Sequence, residues 1–144
     1  MNHKQYHEYS NRHKVLENPW KKVFIAFMFG GLLSIVGQLL FNVLLLYFSK
    51  DNSTILVTLS FIFTAALLTG LGVYDKIAKI AGAGLFVPIT GFSNALTSSA
   101  LECKHEGLIY GIGSNMFKLA GSVITYGIVS AITLSAITYL VRML

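Results

Sequence analysis

Three long stretches of the chain run without a charged side chain. Residues 23–49 do so for 27 positions, 52–74 for 23 and 119–141 for 23. A membrane-crossing helix needs about 20 mostly apolar residues, each adding about 1.5 Å of rise. Each stretch reaches that length, so the pattern predicts helices that cross a bilayer. The first is expected at 23 to about 48 and the second at about 54 to 74, joined by a tight polar turn at 49–53. The last apolar region is longer: residues 107–141 hold 35 positions and one charge, Lys118. Either Lys118 stands at an interface after a short half-helix, its stem lying along apolar surface, or one long helix carries it into a cavity, where it would attract an anionic solute.

Between these regions lies the least regular part of the chain, 68–101. Asp75, Lys76 and Lys79 return it to the membrane surface. Gly82, Gly84, Pro88 and Gly91 follow, interleaved with Thr90, Ser93, Asn94, Thr97, Ser98 and Ser99. Residues 80–101 are long enough to span, but Pro88 removes a helical hydrogen bond and clashes with the carbonyl four residues back. Two arrangements fit: half-helices that meet near Val87-Pro88 and cross, or a re-entrant hairpin that returns to its starting face. In lipid, broken backbone is tolerated only where protein buries it or where it lines a wet cavity. This stretch is therefore the main candidate site. The expected architecture is all-α: a small polytopic membrane protein with about four spans, one broken or re-entrant around Pro88. A polar arm, 1–22, precedes the membrane domain, 23–144.

Composition agrees with this class. The chain is 54% hydrophobic and 12% charged, against roughly 25% charged in an ordinary soluble domain. The net charge of +5 does not point to nucleic acid, because five of the eleven basic residues lie in the arm. Five Lys and Arg in the arm and two in the 75–79 turn, against one in the 49–53 turn, place the N-terminus in the cytoplasm by the positive-inside rule. The apolar run after the arm exceeds a signal peptide's core of about 7–15 residues, so it is expected to stay as an anchor. Asn18-Pro19 disfavours a helix running through that point, Pro19 suits a helix start, and Trp20, Lys21 and Lys22 suit an interface. His3, His7 and His13 read as part of a solvated arm. The 102–106 turn lacks the twelve-residue oxygen-ligand loop of a calcium hand. The single cysteine, Cys103, excludes an intrachain disulfide. No GxxxxGK[ST], HExxH, CxxC or GxSxG motif occurs. Neither an enzyme, a cofactor nor a bound metal is expected.

What the spans do contain is neutral polar groups beside small residues. Gln38 and Asn42 lie four apart, on one helix face. An uncompensated amide in hydrocarbon is costly, so they should meet protein or water. An interhelical hydrogen bond and a solute-lining role both remain open. Gly30 with Ser34, Ala66 with Gly70, and Gly127 with Ala131 and Ser135 recur at four, the spacing of close helix contacts in membranes.

Four segments carry a resemblance: FGGLLSIVGQLL at 29–40, LTGLGVYDKIAKIAGAG at 68–84, VPITGFSNALTSSALE at 87–102 and EGLIYGIGSNMFKLAGSVITYG at 106–127. With these, the chain resembles the stage V sporulation protein AC family, which is related to the AE subunit family, over roughly 20–141. Arg12, His13, Lys14, Val15 and Leu16 of the arm favour the AC type. The resemblance implies a subunit of a channel in the forespore and spore inner membrane, moving dipicolinic acid with calcium during sporulation and germination. It also implies mechanosensitive behaviour and work alongside AD- and AE-type proteins. Joined to the residue pattern, it makes Gln38, Asn42, Pro88, Thr90, Asn94, Asn115 and Lys118 the candidate lining or gate of an oligomeric pathway. Neutral donors and one cation suit a solute that must bind weakly and leave. A non-conducting assembly subunit and an alternating-access carrier are the competing expectations.

Overall fold

The computed structural model describes residues 18–143. The arm before Asn18, with its three histidines, lies outside the described residues. Six α-helices follow: α1 Pro19–Leu45, α2 Lys50–Gly70, α3 Tyr74–Ala81, the single turn α4 Ala83–Phe86, α5 Ile89–Glu102 and α6 Ser114–Met143. A 3-10 turn, Lys104–Glu106, and a π-helical turn, Leu108–Gly113, lead from α5 into α6. No strand occurs among the described residues. Three continuous helical runs are long and apolar enough to cross a membrane: Pro19–Leu45, Lys50–Gly70 and Leu108–Met143. The fourth segment consists of α3, α4 and α5. The fold is therefore all-α, with three unbroken candidate spans and one broken segment.

Local chemistry explains where the helices start. The Trp20 backbone N–H donates to Asn18 Oδ1 at 3.1 Å, an N-cap, and Pro19 takes the first helical position. Trp20, Lys21 and Lys22 thus form the first turn of α1 rather than the end of the arm. The expected 49–53 turn is shorter than its polarity suggested. Ser49 is extended, with φ −62° and ψ 159°, and the helix begins at Lys50. Asp51 then lies beside the positive end of the helix dipole. The 75–79 turn is likewise helical. Tyr74, Ala78 and Ala81 are buried along one face of α3, while Asp75, Lys76 and Lys79 stay exposed.

Two backbone breaks shape the irregular segment. Gly82, at φ +56°, separates α3 from α4 in a region that favours glycine. Pro88, extended at φ −64° and ψ 171°, separates α4 from α5. At 14 residues α5 rises only about 21 Å, short of a hydrocarbon core about 30 Å thick. The segment folds back onto the long helices: α4 packs on α1 and α5 lies along α2. Ala65, Tyr74 and Ala78 form the buried apolar cluster, with Leu68 and Leu85 packed against it.

The contact of α4 with α1 is backbone on backbone. A Cβ at Gly84 would overlap the Ala26 carbonyl and come within 3.0 Å of the Gly30 nitrogen. A glycine is required there because α4 rests directly on the main chain of α1.

The long apolar region forms one helical run, Leu108–Met143, after Gly107 at φ +92°. The uncharged stretch 119–141 rises about 34 Å, so Lys118 and Arg142 bracket a bilayer-sized length of α6. Every described residue of α6 from Ser122 onward is exposed within this chain.

Replacing Gly84 with Ala should destabilise the protein by about 1–3 kcal/mol, the usual cost of overpacking. Gly31→Ala, where nothing lies within 4 Å of the added methyl, should be tolerated. Unfolding of both purified variants in mixed micelles, against wild type, checks this.

Candidate functional site

The breaks at Gly82 and Pro88 free backbone groups that a continuous helix would pair. Pro88 has no N–H to offer the turn before it. A continuous helix would pair the Leu85 carbonyl with the Ile89 N–H; with Pro88 extended, side chains take that place, the Tyr74 hydroxyl donating to it at 2.8 Å and the Thr90 hydroxyl at 3.3 Å. Tyr74 reaches it from α3 and Thr90 from the first turn of α5, so one carbonyl ties together both sides of the two breaks.

One helical turn further along α5, Ser93 and Asn94 fasten it to α2. The Ser93 hydroxyl donates to the Ile62 carbonyl at 2.7 Å. Asn94 Nδ2 donates to Asp75 Oδ1 at 3.2 Å. Asn94 Oδ1 lies 2.7 Å from the Thr69 hydroxyl, which is also 2.7 Å from the Ala65 carbonyl. That hydroxyl has a single proton and serves the two acceptors in turn. Thr69, Thr90, Ser93 and Asn94 are all buried. The result is a polar cluster joining α2, α3, α4 and α5.

Asn94 and Thr90 thus meet protein groups in this conformation. Pro88 stands between them and α4, half-buried. The other pathway candidates lie elsewhere. Asn115 Nδ2 donates to the Gly111 carbonyl of its own helical run at 2.9 Å. Lys118 is exposed at one end of the α6 span. Gln38 Nε2 donates to Asn42 Oδ1 at 2.9 Å, along one face of α1. No interhelical partner for either amide exists among the described residues.

These two amides extend a longer feature. Ser34, Gln38 and Asn42 fall at four-residue intervals, and all three are exposed. The Ser34 hydroxyl donates back to the Gly30 carbonyl at 2.9 Å. Counted from Val23 at about 1.5 Å per residue, they stand about 16 to 28 Å along the uncharged run. A polar stripe thus faces outward from the chain at hydrocarbon depth. The remaining amide hydrogens and the Gln38 carbonyl oxygen are unspent.

Of the small-residue stripes, Gly30 lies against Gly84. Ala66 is half-buried, while Gly70 has open space beside it. Gly127, Ala131 and Ser135 are exposed on α6 among the described residues, and nothing lies within 4 Å of a Cβ at Gly127. No group of three or more metal-ligating side chains gathers among the described residues.

Thr69 and Tyr74 had no distinguishing sequence signal, and Ser93 stood out only as one of several hydroxyls in the irregular stretch. Each is an ordinary hydroxyl in an apolar or semi-polar run. Asp75 was legible only as a surface charge. The feature that pointed here was the neighbourhood, in which a proline among glycines freed groups that had to be paired.

The chain matches the family model described as "SpoVAC/SpoVAEB sporulation membrane protein" over residues 22–137, and it belongs to that family. It is 46% identical over 116 residues to "Stage V sporulation protein AC" of Bacillus subtilis (strain 168), covering 79% of this chain and 77% of that protein. No solved structure matches it.

Removing the Asn94 side chain leaves the Thr69 hydroxyl with the Ala65 carbonyl alone and takes the amide donor from Asp75, and Asn94→Ala should cost about 1–3 kcal/mol of stability. A double-mutant cycle with Thr69→Val should give a coupling of about 0.6 kcal/mol, the average for hydrogen bonds between membrane helices, and no more than about 1.7 kcal/mol, their maximum. Additive losses in micellar unfolding would remove Asn94 from its place as the hub.

Proposed function

We propose, starting from membership of this sporulation membrane-protein family, that the chain is a subunit of an oligomeric channel in the forespore and spore inner membrane. Its solute is dipicolinic acid moving with calcium. Its N-terminal arm lies in the cytoplasm, and AD- and AE-type proteins are its expected partners. The observation that carries this reading is the outward-facing Ser34, Gln38 and Asn42 stripe. Amides turned toward acyl chains are expensive. They are accommodated where several copies of α1 surround water, and there they present neutral donors and acceptors to a passing solute.

Dipicolinate has two carboxylates and a ring nitrogen, and with one calcium its net charge is near zero. Weak neutral contacts along α1 let such a solute enter and leave. Lys118, at the end of the α6 span, offers one cation to an anionic solute near the mouth. The broken segment serves as a gate element rather than a lining in this conformation, because Thr90 and Asn94 are occupied by protein. Changing the tilt of α2 against α5 strains the Thr69–Asn94–Asp75 contacts, and membrane tension favours the state of wider cross-section.

A second reading rests on α6. A helix exposed from Ser122 to its described end suits an assembly subunit that packs on a pore formed by another protein. Flux separates the two readings. Purified protein in liposomes should release calcium-dipicolinate unaided if it forms the pore. Gln38→Leu with Asn42→Leu should cut that release by about tenfold, equivalent to about 1.4 kcal/mol of barrier. Wild-type protein that inserts correctly and passes no solute would favour the assembly reading.

A further inference from the structure

An apolar cavity of about 300 Å³ lies between the α1–α2 hairpin and the broken segment. Its walls include Leu33, Phe61, Ala65 and Leu85, and two of its α1 residues, Leu32 and Val36, are 61% and 49% exposed. The cavity therefore opens sideways from the helices. Three lining residues carry hydroxyls, and each is committed. Thr64 donates to the Ser60 carbonyl, while Tyr74 and Thr90 donate to that of Leu85. The walls present carbon.

Depth identifies the surroundings. The α1 residues of the cavity run from Phe29 to Val36, about 9 to 20 Å along the helix from Val23. That is the middle of a hydrocarbon core about 30 Å thick. Water would find no polar partner there. Left empty, the walls would forfeit dispersion contacts on one side. The space is about twice the ~150 Å³ apolar cavity that takes up benzene in a soluble protein. The material available at that depth is lipid tail.

We propose that this cavity is an acyl-chain site for a membrane phospholipid. The bound tail lies between α1 and α2 and rests on Leu85. That residue carries, on its carbonyl, both hydroxyl bonds that close the breaks at Gly82 and Pro88. Occupancy therefore braces the hinge of the broken segment, and withdrawal of the tail leaves Leu85 and Tyr74 without support on that side.

The test uses the one natural tryptophan, Trp20, removed as Trp20→Phe. Phe61→Trp then reports from the cavity wall, and Ile35→Trp, in a separate protein, reports from an exposed position on α1 outside the cavity. Both are reconstituted in phosphatidylcholine brominated near the middle of its chains, which quenches tryptophan on contact. The Phe61→Trp reporter should be quenched. Filling the space with Ala65→Leu, or from the opposite wall with Leu85→Phe, should abolish most of that quenching and leave the Ile35→Trp reporter unchanged. Two fillers on different elements keep the test decisive if one fails to fold. An unquenched Phe61→Trp reporter would overturn the proposal, as would quenching indifferent to both fillers. Either would show the cavity closed or filled by a neighbouring chain. The readout needs no solute flux, so it stands or falls apart from the channel assignment.

Discussion

A helix that breaks inside hydrocarbon has to pair its freed backbone groups without water. The whole of this structure around 74–102 follows from that requirement. Pro88 ends α4, the Leu85 carbonyl loses its place in a continuous ladder, and Tyr74 and Thr90 supply the missing donors. Those donors reach it only because Gly82 turns α3 back toward α4 and because Gly84 lets α4 sit on the main chain of α1. Ser93 and Asn94 then carry the same solution across to α2. Bulk at Gly84 or a lost amide at Asn94 would therefore act on the same assembly from opposite sides.

Polar groups divide into two populations. Thr69, Thr90, Ser93 and Asn94, in and against the broken segment, are buried and matched to partners within the chain. Those of α1 are exposed and only partly matched. The division suggests different roles: the first set holds a bent backbone in place, and the second awaits something outside this chain. Helix α6, exposed from Ser122 to its end, shares that outward orientation. In hydrocarbon an exposed Leu or Ile needs no further partner, whereas an exposed Gln or Asn does. The amides of α1 therefore favour assembly around water more than the stripe of Gly127, Ala131 and Ser135 does.

The sequence foretold those parts of the fold that depend on local pattern. Uncharged runs marked the long helices, Pro19 marked the start of α1, and Pro88 marked the break. Contacts between distant positions could not be read this way. Thr69 and Asn94 are 25 residues apart, and Asp75 and Asn94 are 19 apart. Nothing in their local sequence selects those partners over others. Helix α3 was hidden for a different reason. Three charges in five positions resemble a turn, while the buried face of Tyr74, Ala78 and Ala81 is short and mostly alanine. Gln38 and Asn42 were visible as one face, but their pairing with each other, rather than across helices, depended on where the neighbouring helices lie.

In the proposed assembly the Ser34, Gln38 and Asn42 face of α1 meets water. The most direct test is single-cysteine accessibility in a Cys103→Ser background, with cysteines placed one at a time from position 31 to 43. A membrane-impermeant thiol reagent is applied to the reconstituted protein. Labelling should peak at 34, 38 and 42 and fall between them, with the peaks protected by excess calcium-dipicolinate. Uniform protection along α1, with the same reagent labelling a cysteine at the exposed Lys50, would contradict it and turn that face toward lipid or a dry protein contact.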